Sequence, residues 1–135
     1  MNFVHKKLIG ILVLALAALC GAATLPAELA WINQIRGLKP VQLGTTHNVS
    51  YAVVGDPKQA YAAVRDRLKA EGWAVTDNKP RQMVRDGQVW AEIHSELRAR
   101  KDGHTVEISL ATVKGRPDWP APVLHVGLAD WNMPY

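Results

Sequence analysis

The stretch Val89–Arg100, VWAEIHSELRAR, runs through the turn signal Lys101-Asp102-Gly103 into His104–Lys114, HTVEISLATVK. In the first run Val89, Ala91, Ile93, Ser95, Leu97 and Ala99 alternate with Trp90, Glu92, His94, Glu96, Arg98 and Arg100. A repeat of two is the period of a strand, whose successive side chains point to opposite faces. The second run predicts the partner strand, with Val106, Ile108 and Leu110 inward and Glu107 and Ser109 outward. One-sided alternation of this kind belongs to an antiparallel sheet with one face packed and the other largely wet.

Upstream, Gln82–Arg85 reads as a further pairing segment ending at the Asp86-Gly87 turn, and Trp73–Asp77 as a short strand interrupted by Asn78-Lys79-Pro80. Before these lies a helix with both ends marked. Asp56 is an N-cap, Pro57 suits the first helical position, and Gln59 has capping-box spacing. Ala60, Tyr61, Val64 and Leu68 form an apolar stripe, and Gly72 followed by Trp73 is a left-handed stop with an apolar residue behind it. His47–Val54 is rich in β-formers and predicts a strand with Val49, Tyr51 and Val53 on one face. Downstream, Pro117, Pro120 and Pro122 surround Trp119, so this stretch is neither helix interior nor central strand, and Val123–Leu128 reads as an extra C-terminal edge strand.

The expected fold class is therefore α+β, with one main helix packed on a small, mainly antiparallel sheet in the order strand-helix-strand-strand-strand. Residues 47–115 form the core domain and residues 116–135 a Pro/Trp-rich tail packed on it. Residues 24–46 read as an N-terminal arm. Within it Leu29, Trp31, Ile32, Ile35 and Leu38 predict a short amphipathic helix over Ala27–Arg36, closed by Gly37 and Pro40. Such an arm lies against the domain, or against a membrane surface with Trp31, Arg36 and Lys39 as contacts.

Residues 1–23 read as a signal peptide. Lys6 and Lys7 precede Leu8–Ala23, an uncharged run ending in small residues, with Gly21 and Ala23 placed for a cut after Ala23. An uncleaved membrane anchor is the competing reading, although the run falls short of the ~20 apolar residues of a spanning helix. Lipoprotein processing at Cys20 is disfavoured by Leu19 before it. The expected location is periplasmic or extracellular, or membrane-anchored if the leader is retained. Cleavage removes the only cysteine, and with Lys6 and Lys7 it lowers the formal charge from +4 to +2. The remaining 112 residues suffice for one modest core.

The motifs of chemistry are mostly missing. Val54-Gly55-Asp56-Pro57 lacks the several glycines of a phosphate loop, no nucleophile elbow surrounds Ser50, Ser95 or Ser109, and there is no HExxH. The sequence implies no catalytic residue, cofactor or dedicated metal site. The most polar constellation is Glu92, His94 and Glu96, spaced to share one strand face, with Glu107 within reach on the partner strand. Carboxylates around an imidazole can bind zinc or transfer protons, whereas with Arg98 and Arg100 beside them they also form the charge pattern of a solvated sheet. The tryptophans offer a different surface. Trp90 interrupts a polar face, and Trp119, Trp131 and Tyr135 lie in the tail; together they either cover the sheet or form an aromatic patch for a partner.

Two function classes follow. The favoured one is an exported non-enzymatic domain that binds a protein, self-associates or joins an envelope assembly; the runner-up is a small enzyme or metal-dependent module on the Glu92/His94/Glu96 face. Nucleic-acid binding is disfavoured, because acids interrupt the basic residues and the charge after cleavage is nearly balanced.

Overall fold

The structure, a computed structural model, describes residues 25–43 and 47–131. The leader, and with it Cys20, lies outside the described residues, as does Tyr135. Among the described residues a 3₁₀ helix, Ala27–Gln34, is followed by strands β1 (Leu38–Val41) and β2 (Asn48–Val53) and by helix α1 (Pro57–Ala70). Then come β3 (Ala74–Asn78), β4 (Arg81–Arg85), β5 (Gln88–Lys101), β6 (His104–Val113) and β7 (Val123–Gly127). The strands join in one antiparallel sheet of order β1-β2-β7-β6-β5-β3, with β4 continuing along the β3 side of β5. The chain is thus a mixed α+β domain with one main helix packed against an antiparallel sheet.

The local signals around α1 operate as their chemistry dictates. Asp56 Oδ1 accepts a hydrogen bond from the Lys58 amide at 3.0 Å, satisfying one of the donors exposed at the helix start. At the other end Gly72 takes φ +92°, the Trp73 amide reaches the Leu68 carbonyl at 2.9 Å, and the Gly72 amide reaches Lys69 at 3.0 Å. That pair of bonds is the Schellman motif, and it turns Trp73 inward, where it is buried. Asp86-Gly87 and Asp102-Gly103 both place two successive residues at positive φ, the conformation that suits tight hairpins to the twist of their strands.

One apolar layer lies between the helices and the sheet. Ala60, Val64 and Leu68 of α1 meet Val49, Tyr51, Leu97, Ala99, Val106, Ile108, Leu110, Leu124 and Val126 of the strands. The segment expected as an arm belongs to this layer. Leu29 and Ile32 are both 0% exposed, and Leu38 pairs with Val53 at the start of β1. The segment is a 3₁₀ turn with a strand behind it, not an α-helix, and its mixed spacings serve one packed side. The Tyr51 hydroxyl, pushed above its ordinary pKa by burial, donates to Asn33 Oδ1 at 2.6 Å and ties the 3₁₀ helix to β2.

The strand expected over Val123–Leu128 forms at Val123–Gly127. β7 is not an edge strand: it sits between β2 and β6, with Val123, Leu124 and Val126 fully buried. The prolines that argue against a central strand all precede it, at positions 117, 120 and 122. The chain beyond β7 clips back on β6. Asp130 accepts from the Thr105 amide at 2.6 Å, and the Trp131 indole donates to the Thr105 carbonyl at 3.3 Å. These two side chains thereby satisfy backbone groups beyond the end of the β6–β7 ladder.

Candidate binding surface

The long strand β5 does not keep one face throughout its length. Against β6, Ile93 faces Ala111 and Ser95 faces Leu110, so two residues advance on β5 for one on β6 and His94 is the extra residue of a bulge. The alternation changes phase there. Ser95, Leu97 and Ala99 face the helices with Leu110, Ile108 and Val106, whereas Ala91 and Ile93 share the opposite, outer face with Val113 and Ala111. The reading of Val89–Ala99 as one continuous inward set is therefore overturned at His94.

The same bulge separates the polar constellation. Glu92 lies opposite Thr112, and His94 Nε2 shares a 2.7 Å hydrogen bond with the Thr112 hydroxyl. Glu96 lies opposite Ser109, on the outer face. Each carboxylate also has a partner of its own: Glu92 with Lys114 at 3.4 Å, Glu96 with Arg81 at 3.1 Å and Asn78 at 3.0 Å, and Glu107 with Arg98 at 3.0 Å. Glu92, His94 and Glu96 do not share a face, and among the described residues no group of three or more His, Cys, Asp or Glu side chains is placed to hold a metal ion. The arrangement is cross-strand charge pairing on an exposed sheet.

A Ser–His pair that sequence reading did not bring together stands on the outer face. Ser50 and His125 are neighbours across β2 and β7, and Ser50 Oγ and His125 Nδ1 share a 2.8 Å hydrogen bond. Ser50 is only 3% exposed, so its hydroxyl is a buried anchor for the imidazole and is closed to a substrate. Trp119 packs edge-on to His125, with ring centroids 6.2 Å apart, and Arg116 stands 4.7 Å over the indole. Burial lowers the His125 pKa from its ordinary 6.5. The neutral ring is favoured in the folded state, so this contribution to stability is complete above pH 6.5 and is lost as the pH falls from 6.5 through the folded value. Denaturation curves between pH 7.5 and 5 should show stability declining below 6.5, with the decline shallower in His125→Gln. Parallel declines in the two proteins would contradict this assignment.

The candidate aromatics divide. Trp131 stacks on His104, with centroids 3.8 Å apart, and lies 6.5 Å from Trp73; it is a packing residue at the margin of the core. Trp119 is half-buried against the outer face. Trp90 remains exposed, and it does so for a structural reason. Against β4, Met83 faces Ala91 and Val84 faces Val89, so Trp90 is the extra residue of a second bulge. Together β4 and the first residues of β5 form a hairpin arm, and among the described residues no strand pairs with the other side of β4. The arm exposes Val84 at 59% and Trp90 at 38%, with Met83 and Val89 half-buried and the Arg85 guanidinium 5.6 Å over the Trp90 ring. Sequence reading missed Met83, Val84 and Arg85; the available signal was an apolar pair between two arginines.

An open cleft of about 800 Å³ lies where β1 and β2 approach the start of α1, lined by Arg36, Lys39, Val54, Asp56, Gln59 and Ala63 among others. Its charged lining residues Arg36, Lys39 and Asp56 are all exposed. No helix among the described residues is long and apolar enough to cross a membrane. No protein-family model matches the sequence, and neither a curated protein nor a solved structure matches it.

Proposed function

We propose that this protein is an exported, non-enzymatic domain that docks a protein partner through the β4–β5 arm. One observation carries the reading: Val84 and Trp90, two large apolar side chains left in water, belong to one two-stranded arm whose outer edge has no strand partner among the described residues. Exposed aromatics with a cationic neighbour are typical centres of protein interfaces, and a free edge supplies backbone donors and acceptors to an incoming chain. The charged-to-apolar pattern of residues 1–23 supports export.

Two measurements test the two halves. A photo-crosslinking side chain at position 84 should capture a discrete partner in the native envelope, and one at position 58 on the far helix should not. Equal capture at both positions, or none at 84, would overturn the docking surface. Trp90→Ala should abolish the adduct at 84 while changing stability by less than ~1 kcal/mol, as expected for an exposed side chain. N-terminal sequencing of the protein recovered outside the cytoplasm should begin at Thr24; a cytoplasmic chain retaining Met1 would overturn export.

A further inference from the structure

We propose that the outer edge of β4 accepts an extended acidic strand of a partner protein, with a carboxylate two residues to either side of an apolar residue. This rests on the reading of the arm as a docking surface and names the chemistry of its occupant. Among the described residues the sheet has two free edges, β1 and the tandem of β3 and β4. β1 is blunted: it is four residues long and contains Lys39 and Pro40. β3 is overlooked by α1, whose Arg65 holds Asp77 through two hydrogen bonds. β4, with the sequence RQMVR, has no proline and no acid, and every residue but Met83 is exposed.

Alternation fixes what an added strand would meet. Arg81, Met83 and Arg85 project from one side of β4, Gln82 and Val84 from the other. Residues directly opposite across a new antiparallel ladder come within ~5 Å, close enough for charge to select the partner. Arg81 is shared with Glu96 but keeps 52% of its side chain exposed. Arg85 contacts the Trp90 ring and has no carboxylate partner among the described residues. In the register that pairs all five residues of β4, a second copy of this chain is the wrong occupant. Antiparallel self-pairing centred on Met83 sets Arg81 against Arg85 of the other copy twice, and like charges directly opposite are destabilising. The two arginines thus select against the chain itself and in favour of a strand reading acid, any, apolar, any, acid.

The experiment titrates the isotope-labelled full-length protein with a capped peptide containing Glu-Val-Leu-Val-Glu and with its Lys-Val-Leu-Val-Lys counterpart. The acidic peptide should shift the amide signals of residues 81–85 and bind at least tenfold more tightly than the basic one. Arg85→Glu, at a position outside any ion pair, should reduce that preference at least tenfold, and raising the salt concentration should weaken acidic binding. Equal affinity for the two peptides, an unmoved β4, or a dimer formed through β4 would each overturn the proposal. If the peptide fails while the adduct at position 84 persists, the acidic-strand chemistry alone is lost; if the adduct fails as well, the docking surface is lost with it.

Discussion

Leu29→Ala and Ile32→Ala should each lower the unfolding free energy by about 2–5 kcal/mol, the range for deleting a fully buried aliphatic side chain that leaves a cavity. Both residues are 0% exposed and belong to the same apolar layer as α1 and the central strands. Tyr51 is held from the other side by Asn33, so the surrounding structure has little freedom to collapse into the space. Val54→Ala, at a side chain 66% exposed, should change stability by less than ~0.5 kcal/mol and serves as the control. Denaturant midpoints at unchanged slope are the measurement. A detachable arm would behave in the opposite way, with losses at 29 and 32 as small as at 54.

The second large effect separates two single-residue deletions in β5. Removing His94 takes out the extra residue of the bulge, and the pairs Ser95–Leu110, Ile93–Ala111 and Ala91–Val113 can all re-form in a regular ladder. The variant should fold, at a cost of about 1–2 kcal/mol for the lost bend and the tightened Lys79-Pro80 connection. Removing Arg98 leaves no such escape. Holding Ala99 opposite Val106 then moves Leu97 to the face of Glu107 and brings Glu96 opposite Ile108, inside the apolar layer. A one-residue slip exchanges the two faces of a strand, and an unpaired buried carboxylate adds its desolvation cost. Deletion of Arg98 should remove more than ~5 kcal/mol and leave no cooperative unfolding transition. A strand without the bulge would tolerate neither deletion, so the folded state of the His94 deletion is the deciding result.

What the sequence made legible follows from how local each signal is. The cap at Asp56, the stop at Gly72 and the two Asp-Gly turns act within a few residues, and each stands where its chemistry placed it. The bulge at His94 is different: nothing in VWAEIHSELRAR marks an inserted residue, because Ile93 and Ser95 read as well on either face. Its origin lies across the sheet, where Ala111 and Val123 form an outer-face row that Ile93 completes. Leu29 and Ile32 were legible as apolar, but which surface they bury depends on the distant strand β2. β7 was hidden by its prolines, which belong to the connection before it. The candidate surface shows the same division. Trp90 was visible as an aromatic among polar residues, whereas the exposure of Val84 depends on β4 being the last strand on its side.

The place of β7 between β2 and β6 also sets an order of events in time. Ser50 and His125, bonded to each other in the finished sheet, are 75 residues apart along the chain. The β5–β6 hairpin closes over a two-residue turn and needs no remote partner. The β1–β2 pair, although made first, waits for the last strand before it has a neighbour on its inner side. Loops of that length close slowly, so assembly should be paced by the arrival of β7. A chain emerging from its N-terminus carries an unsatisfied strand edge at β2 until Val123–Gly127 is out, and that interval is when it is most open to mispairing with its neighbours.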